Sequence, residues 1–150
     1  MKKFDMRNIS FKASESKGPV VVLIGRRDTG KSFLVRDLLY YQQDIPIGVV
    51  IAGTEEGNGF YSKLVPKLFI HNEYSTAIIE NILKRQRTVL KQMKKEIESY
   101  KKSSIDARTF VILDDCLYDS SWSRDKMMRL LFMNGRHWNC LLYTSDAADE

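Results

Sequence analysis

The residues from Gly25 to Ser32 read GRRDTGKS and fit the phosphate-loop pattern G-x-x-x-x-G-K-[ST] at every fixed position. These residue types suit one chemistry. Successive backbone N–H groups, backed by a helix N-terminus, form a nest for phosphate oxygens. Gly25 and Gly30 allow the turn and the close approach of backbone to ligand. Lys31 is suited to the β- and γ-phosphates, and the Ser32 hydroxyl offers a hard oxygen ligand to Mg²⁺. Arg26, Arg27, Asp28 and Thr29 fill the variable positions without a fixed role. With Phe33 behind the motif they complete the expected nucleotide-binding stretch.

A second signal is Thr109-Phe110-Val111-Ile112-Leu113-Asp114-Asp115, an apolar run ending in two acids. It fits a strand that delivers a metal-site aspartate, Asp114, provided that this strand lies beside the phosphate-loop strand with its carboxyl end facing Ser32. Asp115 stands where many ATPases of the additional-strand class place a glutamate that orients or deprotonates water. Further on, Arg136 is the candidate for approaching phosphates, either in its own subunit or from a neighbour in a ring. Arg26, Arg27 and Arg129 are its rivals.

These groups need elements to hold them. Val20 to Ile24 is an apolar run suited to a buried strand, and Phe33 to Leu39 has helical spacing, so a helix is predicted from Lys31 to Tyr41. Pro46 ends it. Ile47 to Ala52 is almost wholly apolar, as in a strand covered on both faces. The loop Gly53 to Gly59 then lies on the ligand side of the sheet, where Glu55 and Glu56 can approach the nucleotide or a neighbouring subunit, although acids in such loops are more often solvated. Tyr61 to Val65 suggests a helical turn, Lys67 to Ile70 a short strand, and His71 a structural histidine. Tyr74 to Tyr100 reads as one long helix with an apolar stripe from Ile78 to Ile97. Its other side carries Lys84, Arg85, Arg87, Lys91, Lys94 and Lys95, followed by Lys101 and Lys102. That side suits either DNA phosphates or plain solvent. Leu117 to Trp122 is a loop, Ser123 caps a helix from Arg124 to Phe132, and Gly135 ends it.

The 150 residues suffice for one α/β domain, and 43% of them are hydrophobic. No apolar run is long enough for a membrane span, and Met1-Lys2-Lys3-Phe4-Asp5 lacks the apolar stretch of a signal peptide. Cys116 and Cys140 have neither metal-site nor disulfide-scaffold spacing, and a reducing compartment fits them. Residues 1–17 read as a lead-in and residues 18–139 as a partial ATPase domain. The last residues, 140–150, are an anomaly. LLYTSDAADE resembles the translated read-through of a transposase-based sequencing adapter, and Cys140 can belong to the same artefact. The formal charge is +5, or +8 without the tail's three acids, a balance that weakly favours a polyanionic partner.

Together GRRDTGKSFLVRDLL, TFVILDDCLYD and MMRLLFMNGRHWN resemble the A32-like DNA-packaging ATPases of poxviruses and other nucleocytoplasmic large DNA viruses, within the FtsK/HerA-type P-loop motors. The resemblance covers roughly residues 18 to 139. It implies an α/β, RecA-like core with a mainly parallel sheet and helices on both faces. It also implies ATP and Mg²⁺ as cofactors, a homo-oligomer, and translocation of double-stranded DNA into a preformed capsid. Capsid or portal-like proteins would be partners, and the setting would be the virion or a viral factory in the host cytoplasm. Lys31 and Ser32 match the phosphate-loop pair, Asp114 the Mg²⁺-site aspartate and Asp115 the adjacent catalytic acid. Members continue into a strand bearing a polar sensor, typically glutamine. That strand would begin near residue 140, so this chain is expected to lack it and the final strand or strands. Two other functions compete. A small-molecule P-loop kinase would need an acceptor pocket and a basic lid, and neither is evident. A non-catalytic nucleotide-binding assembly subunit would not need Lys31, Ser32, Asp114 and Asp115 intact. A GTPase would need an Asn/Thr-Lys-x-Asp segment, which is missing from the sequence.

Overall fold

A computed structural model describes residues 5–9, 11–12, 17–25, 29–116, 122 and 124–147. Five strands form one sheet: β1 (Val20–Gly25), β2 (Gly48–Ala52), β3 (Ile70–His71), β4 (Thr109–Asp114) and β5 (Cys140–Ala147). Their spatial order is β1-β5-β4-β2-β3, and every pairing is parallel. Four helices connect them: α1 (Lys31–Tyr41), the single turn α2 (Glu55–Asn58), α3 (Thr76–Tyr100) and α4 (Lys126–Asn134). The expected α/β architecture, a parallel sheet with helices on both faces, is the one observed.

Strand alternation divides the core into two layers. Val50, Ala52, Phe110, Ile112, Leu141 and Tyr143 face α1, where Val35 and Leu38 meet them together with Tyr61 and Val65. Ile51, Val111, Leu113, Cys140 and Leu142 face the other way, onto Ile79, Ile82 and Leu83 of α3 and Met128 and Leu131 of α4. The continuous apolar runs of β2 and β4 follow from this double cover. Burial pushes the Cys140 thiol up to about 12.

Several expectations change. The strand reading of Val20 to Ile24 holds, but its burial does not. β1 is an edge strand in which Val21 and Leu23 pack on the α1 layer while Val20, Val22 and Ile24 are exposed, Ile24 by 81%. Nor does β4 lie beside β1, because β5 separates them. The expected gap after Asn139 is instead filled by β5, which lies between β1 and β4. There Cys140 to Tyr143 supply apolar side chains to both layers. Lys67–Phe69 is a 3-10 turn, and only Ile70–His71 pairs as a strand.

The cap of α4 is Asp125, whose carboxylate accepts from the Met127 N–H at 2.7 Å and from the hydroxyls of Tyr74 and Thr76. Ser123, the expected cap, lies outside the described residues, as does the loop 117–121. Gly135 ends α4 as its C-cap, as expected, and the chain then tightens into a 3-10 turn through Trp138 that stops at Asn139 in the left-handed region.

Two polar devices close the amino-terminal edge of the sheet. The buried Gln86 amide of α3 donates to the carbonyls of Ala107 at 2.8 Å and Trp138 at 2.6 Å, which precede β4 and β5. The Arg108 guanidinium donates to the Phe11 carbonyl at 2.7 Å and pairs with Asp44 at 2.8 Å and Asp106 at 2.7 Å. It thereby ties the lead-in and the end of α1 to the start of β4. Among the described residues, no helix is long and apolar enough to cross a membrane.

Candidate functional site

In a parallel sheet all carboxyl ends share one edge, and ligands bind outside that edge. Here the edge carries Gly25, Asp114 and Ala52. Asp114 is level with Ser145 of β5 and, through it, with Leu23 of β1. Two strand spacings, about 10 Å, therefore separate the β4 and β1 backbones at that level. The intervening strand leaves Asp114 at the same edge as Gly25.

The loop is described at both ends. Gly30 sits at φ +85°, left-handed, with nothing near an added Cβ, so the demand for glycine there is conformational. Its carbonyl accepts from the Leu34 N–H at 3.2 Å. Lys31 and Ser32 open the first turn of α1, Lys31 half-buried and Ser32 exposed. Phe33 is exposed beyond them, with the Arg36 guanidinium 4.9 Å above its ring. Thr29 is exposed, and Gly25 ends β1. Arg26, Arg27 and Asp28 lie outside the described residues.

Asp114 is the last residue of β4 and is buried. Alternation puts it on the α1 side with Phe110 and Ile112. There its Oδ2 accepts from the Tyr61 hydroxyl at 2.5 Å. Burial, together with the Asp114 charge, pushes the Tyr61 phenol far above its ordinary range, so it stays a donor. Tyr61 is seated in turn by Glu55. The Glu55 carboxylate accepts from the Tyr61 N–H at 2.8 Å and the Ser62 N–H at 2.7 Å. The expectation that Glu55 is solvated is thus corrected: it is buried and satisfied by backbone donors, while Glu56 is exposed. No local sequence pattern announces a pairing between residues 61 and 114.

Asp115 follows at φ 50°, in a left-handed turn that aspartate tolerates better than most residues. A Cβ on Gly53 would lie 2.5 Å from the Asp115 carbonyl oxygen. The Gly53 N–H also donates to the Asp114 carbonyl at 3.2 Å. The start of the β2 loop and the acid pair are therefore packed backbone to backbone.

Arg136 lies elsewhere. It is exposed in the turn before β5, and its carbonyl accepts from the Gly18 N–H at 3.0 Å, ahead of β1. From Gly18 to Gly25 the extended chain rises about 23 Å, more than an arginine side chain spans. The within-subunit role of Arg136 is therefore corrected: it belongs to the opposite edge. Arg129 is exposed on α4.

The donor set suits Mg²⁺. Ser32 and Asp114 are hard oxygen donors on one face and at one edge. Among the described residues, no cluster of three or more His, Cys, Asp or Glu side chains forms a metal cage of its own. Mg²⁺ usually takes one or two protein oxygens and completes its shell with phosphates and water.

No family model matches the chain. It is 43% identical over 122 residues to the uncharacterized protein L437 of Acanthamoeba polyphaga mimivirus, covering 80% of this chain and 42% of that one. It is 40% identical over 129 residues to protein 075L of Invertebrate iridescent virus 6, covering 85% and 46%. With protein 015R of Frog virus 3 it shares 44% over 126 residues, covering 83% and 36%. The chain thus spans less than half the length of these viral relatives. Among solved structures, the pCW3 conjugation coupling protein TcpA, in its monomer form with ATPγS, matches with a TM-score of 0.59 at 16% identity, over 87% of this chain and 43% of that one. The chain is similar in sequence to proteins of large DNA viruses, and it shares its fold with a protein solved with an ATP analogue.

Proposed function

We propose that this chain is the nucleotide-binding part of a Mg²⁺-dependent ATPase that drives double-stranded viral DNA into a capsid. One observation carries the reading: the first turn of α1 and the Asp114 carboxylate share one edge and one face of the sheet. Loop N–H groups and Lys31 hold the triphosphate. Ser32 and Asp114 would hold Mg²⁺, which would supply positive charge against the phosphates when bound. Asp115 orients water for in-line attack, and preorganised positive charge stabilises the transition state. Arg136, remote from its own loop, acts only across a subunit boundary in a homo-oligomer. The structure solved with ATPγS supports the nucleotide, and the viral relatives support a setting in the virion or viral factory.

DNA contact is assigned to the second half of α3. Its 25 residues run about 37 Å, and Gln86 marks where it passes the amino-terminal edge. Exposed Arg87, Lys91, Lys94, Lys95, Lys101 and Lys102 follow that point. The test is ATP turnover of the full-length protein with and without long duplex DNA. Wild type should be stimulated, and Lys31→Ala should lose turnover in both states. Equal turnover by the two proteins would reject the reading.

We also propose that residues 140–150 depart from the protein's own sequence, on the strength of the adapter-like LLYTSDAADE. The genomic reading frame past codon 139 should then encode a different strand with a polar sensor. The same LLYTSDAADE in the genome would refute this.

A further inference from the structure

We propose that Tyr61 is a positioning residue for the metal site: its hydroxyl fixes the Asp114 carboxylate, and Glu55 fixes Tyr61. The inference rests on the reading of Asp114 as a Mg²⁺ ligand and extends it to two residues of the segment after β2.

A carboxylate at a strand end can rotate about its side-chain torsions, and a metal with strict octahedral demands penalises that freedom. The Tyr61 hydroxyl, 2.5 Å from Asp114 Oδ2, commits one oxygen and one orientation. Tyr61 is itself almost fully buried, with its ring in the α1-side core beside Phe60 at a 5.0 Å centroid separation. Its backbone is held from the other side by the buried Glu55 carboxylate, which also takes the Ser62 N–H. Gly59, left-handed at φ 57°, closes α2 and donates to the Glu55 carbonyl at 2.8 Å. A buried carboxylate is costly unless it is hydrogen-bonded; Glu55 meets that need with two backbone N–H groups and so fixes the local geometry. Here that geometry is the approach of one hydroxyl to one oxygen of Asp114.

The experiment measures equilibrium binding of a fluorescent ATP analogue to the full-length protein as Mg²⁺ is titrated, alongside binding in EDTA and the melting temperature. Tyr61→Phe keeps the ring and removes the hydroxyl. It should raise the Mg²⁺ concentration for half-maximal enhancement of binding about 10- to 100-fold while binding in EDTA stays within about twofold, since second-sphere partners of metal ligands carry effects of this order. Glu55→Gln leaves the hydroxyl and disturbs its seat, and it should shift the Mg²⁺ midpoint the same way. If wild type shows no Mg²⁺-enhanced binding, the metal-site reading fails and takes this inference with it. If wild type shows it and both folded variants titrate like wild type, only the inference is overturned. Loss of binding in EDTA and in Mg²⁺ alike would also overturn it, because the role would then be structural. Should Tyr61→Phe not fold, the Glu55→Gln titration decides alone.

Discussion

Gln86 and Trp138, 52 positions apart, are joined by a hydrogen bond of 2.6 Å from the buried side-chain amide to the backbone carbonyl. The same nitrogen reaches the Ala107 carbonyl, so one side chain fastens α3 to the segments entering β4 and β5. Gln86→Leu fits the apolar surroundings but removes the donor. It should destabilise the fold by about 2–3 kcal/mol, the cost of leaving buried carbonyls without a partner. Urea unfolding measures this, and a loss below about 0.5 kcal/mol would refute the clamp.

Acid should loosen the same edge through Asp106. Hydrogen bonding from Arg108 holds the Asp106 carboxyl below its ordinary value of 3.8, against a smaller opposing effect of burial. In the unfolded chain the carboxyl takes up its proton at the higher, ordinary value. The stabilisation is therefore fully present above that value and is lost as pH falls through the depressed one. With the pair partly exposed to solvent, about 1 kcal/mol is at stake. Asp106→Asn should lower stability at neutral pH and flatten its decline below pH 4, as seen in melting temperature against pH.

At the site edge, Gly53→Ala puts a methyl 2.5 Å from the Asp115 carbonyl oxygen, a backbone atom that cannot swing aside. The strands must separate locally, at about 1–3 kcal/mol. Because the displaced atom belongs to Asp115, turnover should fall more than ATP binding does. Parallel unfolding and single-turnover measurements separate the two effects.

The two acids should also differ from each other. Asp115→Asn is expected to keep Mg·ATP binding while losing most hydrolysis. Asp114→Asn should weaken the metal-dependent part of binding as well. Titrations of Mg²⁺ against bound nucleotide, paired with turnover, distinguish them.

For α3, replacing Lys91, Lys94 and Lys95 by glutamine should weaken duplex binding without sequence preference. It should also reduce the slope of log affinity against log salt by about 0.9 for each DNA phosphate that the protein no longer neutralises. An unchanged slope would mean that this face is merely solvated.

Local patterns carried much of the architecture. The apolar runs before Gly25 and Asp114 predict β1 and β4, and the helical spacing after Lys31 and Tyr74 predicts α1 and α3 nearly to their ends. What the sequence hid depends on contacts between distant positions. Glu55 looks like any loop acid until the backbone N–H groups of Tyr61 and Ser62 turn towards it. Tyr61 and Gln86 sit in no motif, and their partners lie 53 and 52 residues away. Strand order is equally non-local. Nothing in Val20 to Ile24 says that one face meets the α1 layer while the other stays exposed, and nothing near Asp114 says that β5 intervenes. The sequence left open whether Arg136 serves its own subunit or a neighbour for the same reason, because only the fold places Gly135-Arg136 at the amino-terminal end of β5.

The most direct test of the central claim is a structure of the full-length protein with Mg²⁺ and ATPγS. The proposed nucleotide site requires the triphosphate to lie along Gly25 to Ser32. It also requires Mg²⁺ about 2.1 Å from the Ser32 hydroxyl, with the Asp114 carboxylate bound directly or through one water. Nucleotide bound elsewhere, or Asp114 remote from the metal, would contradict it.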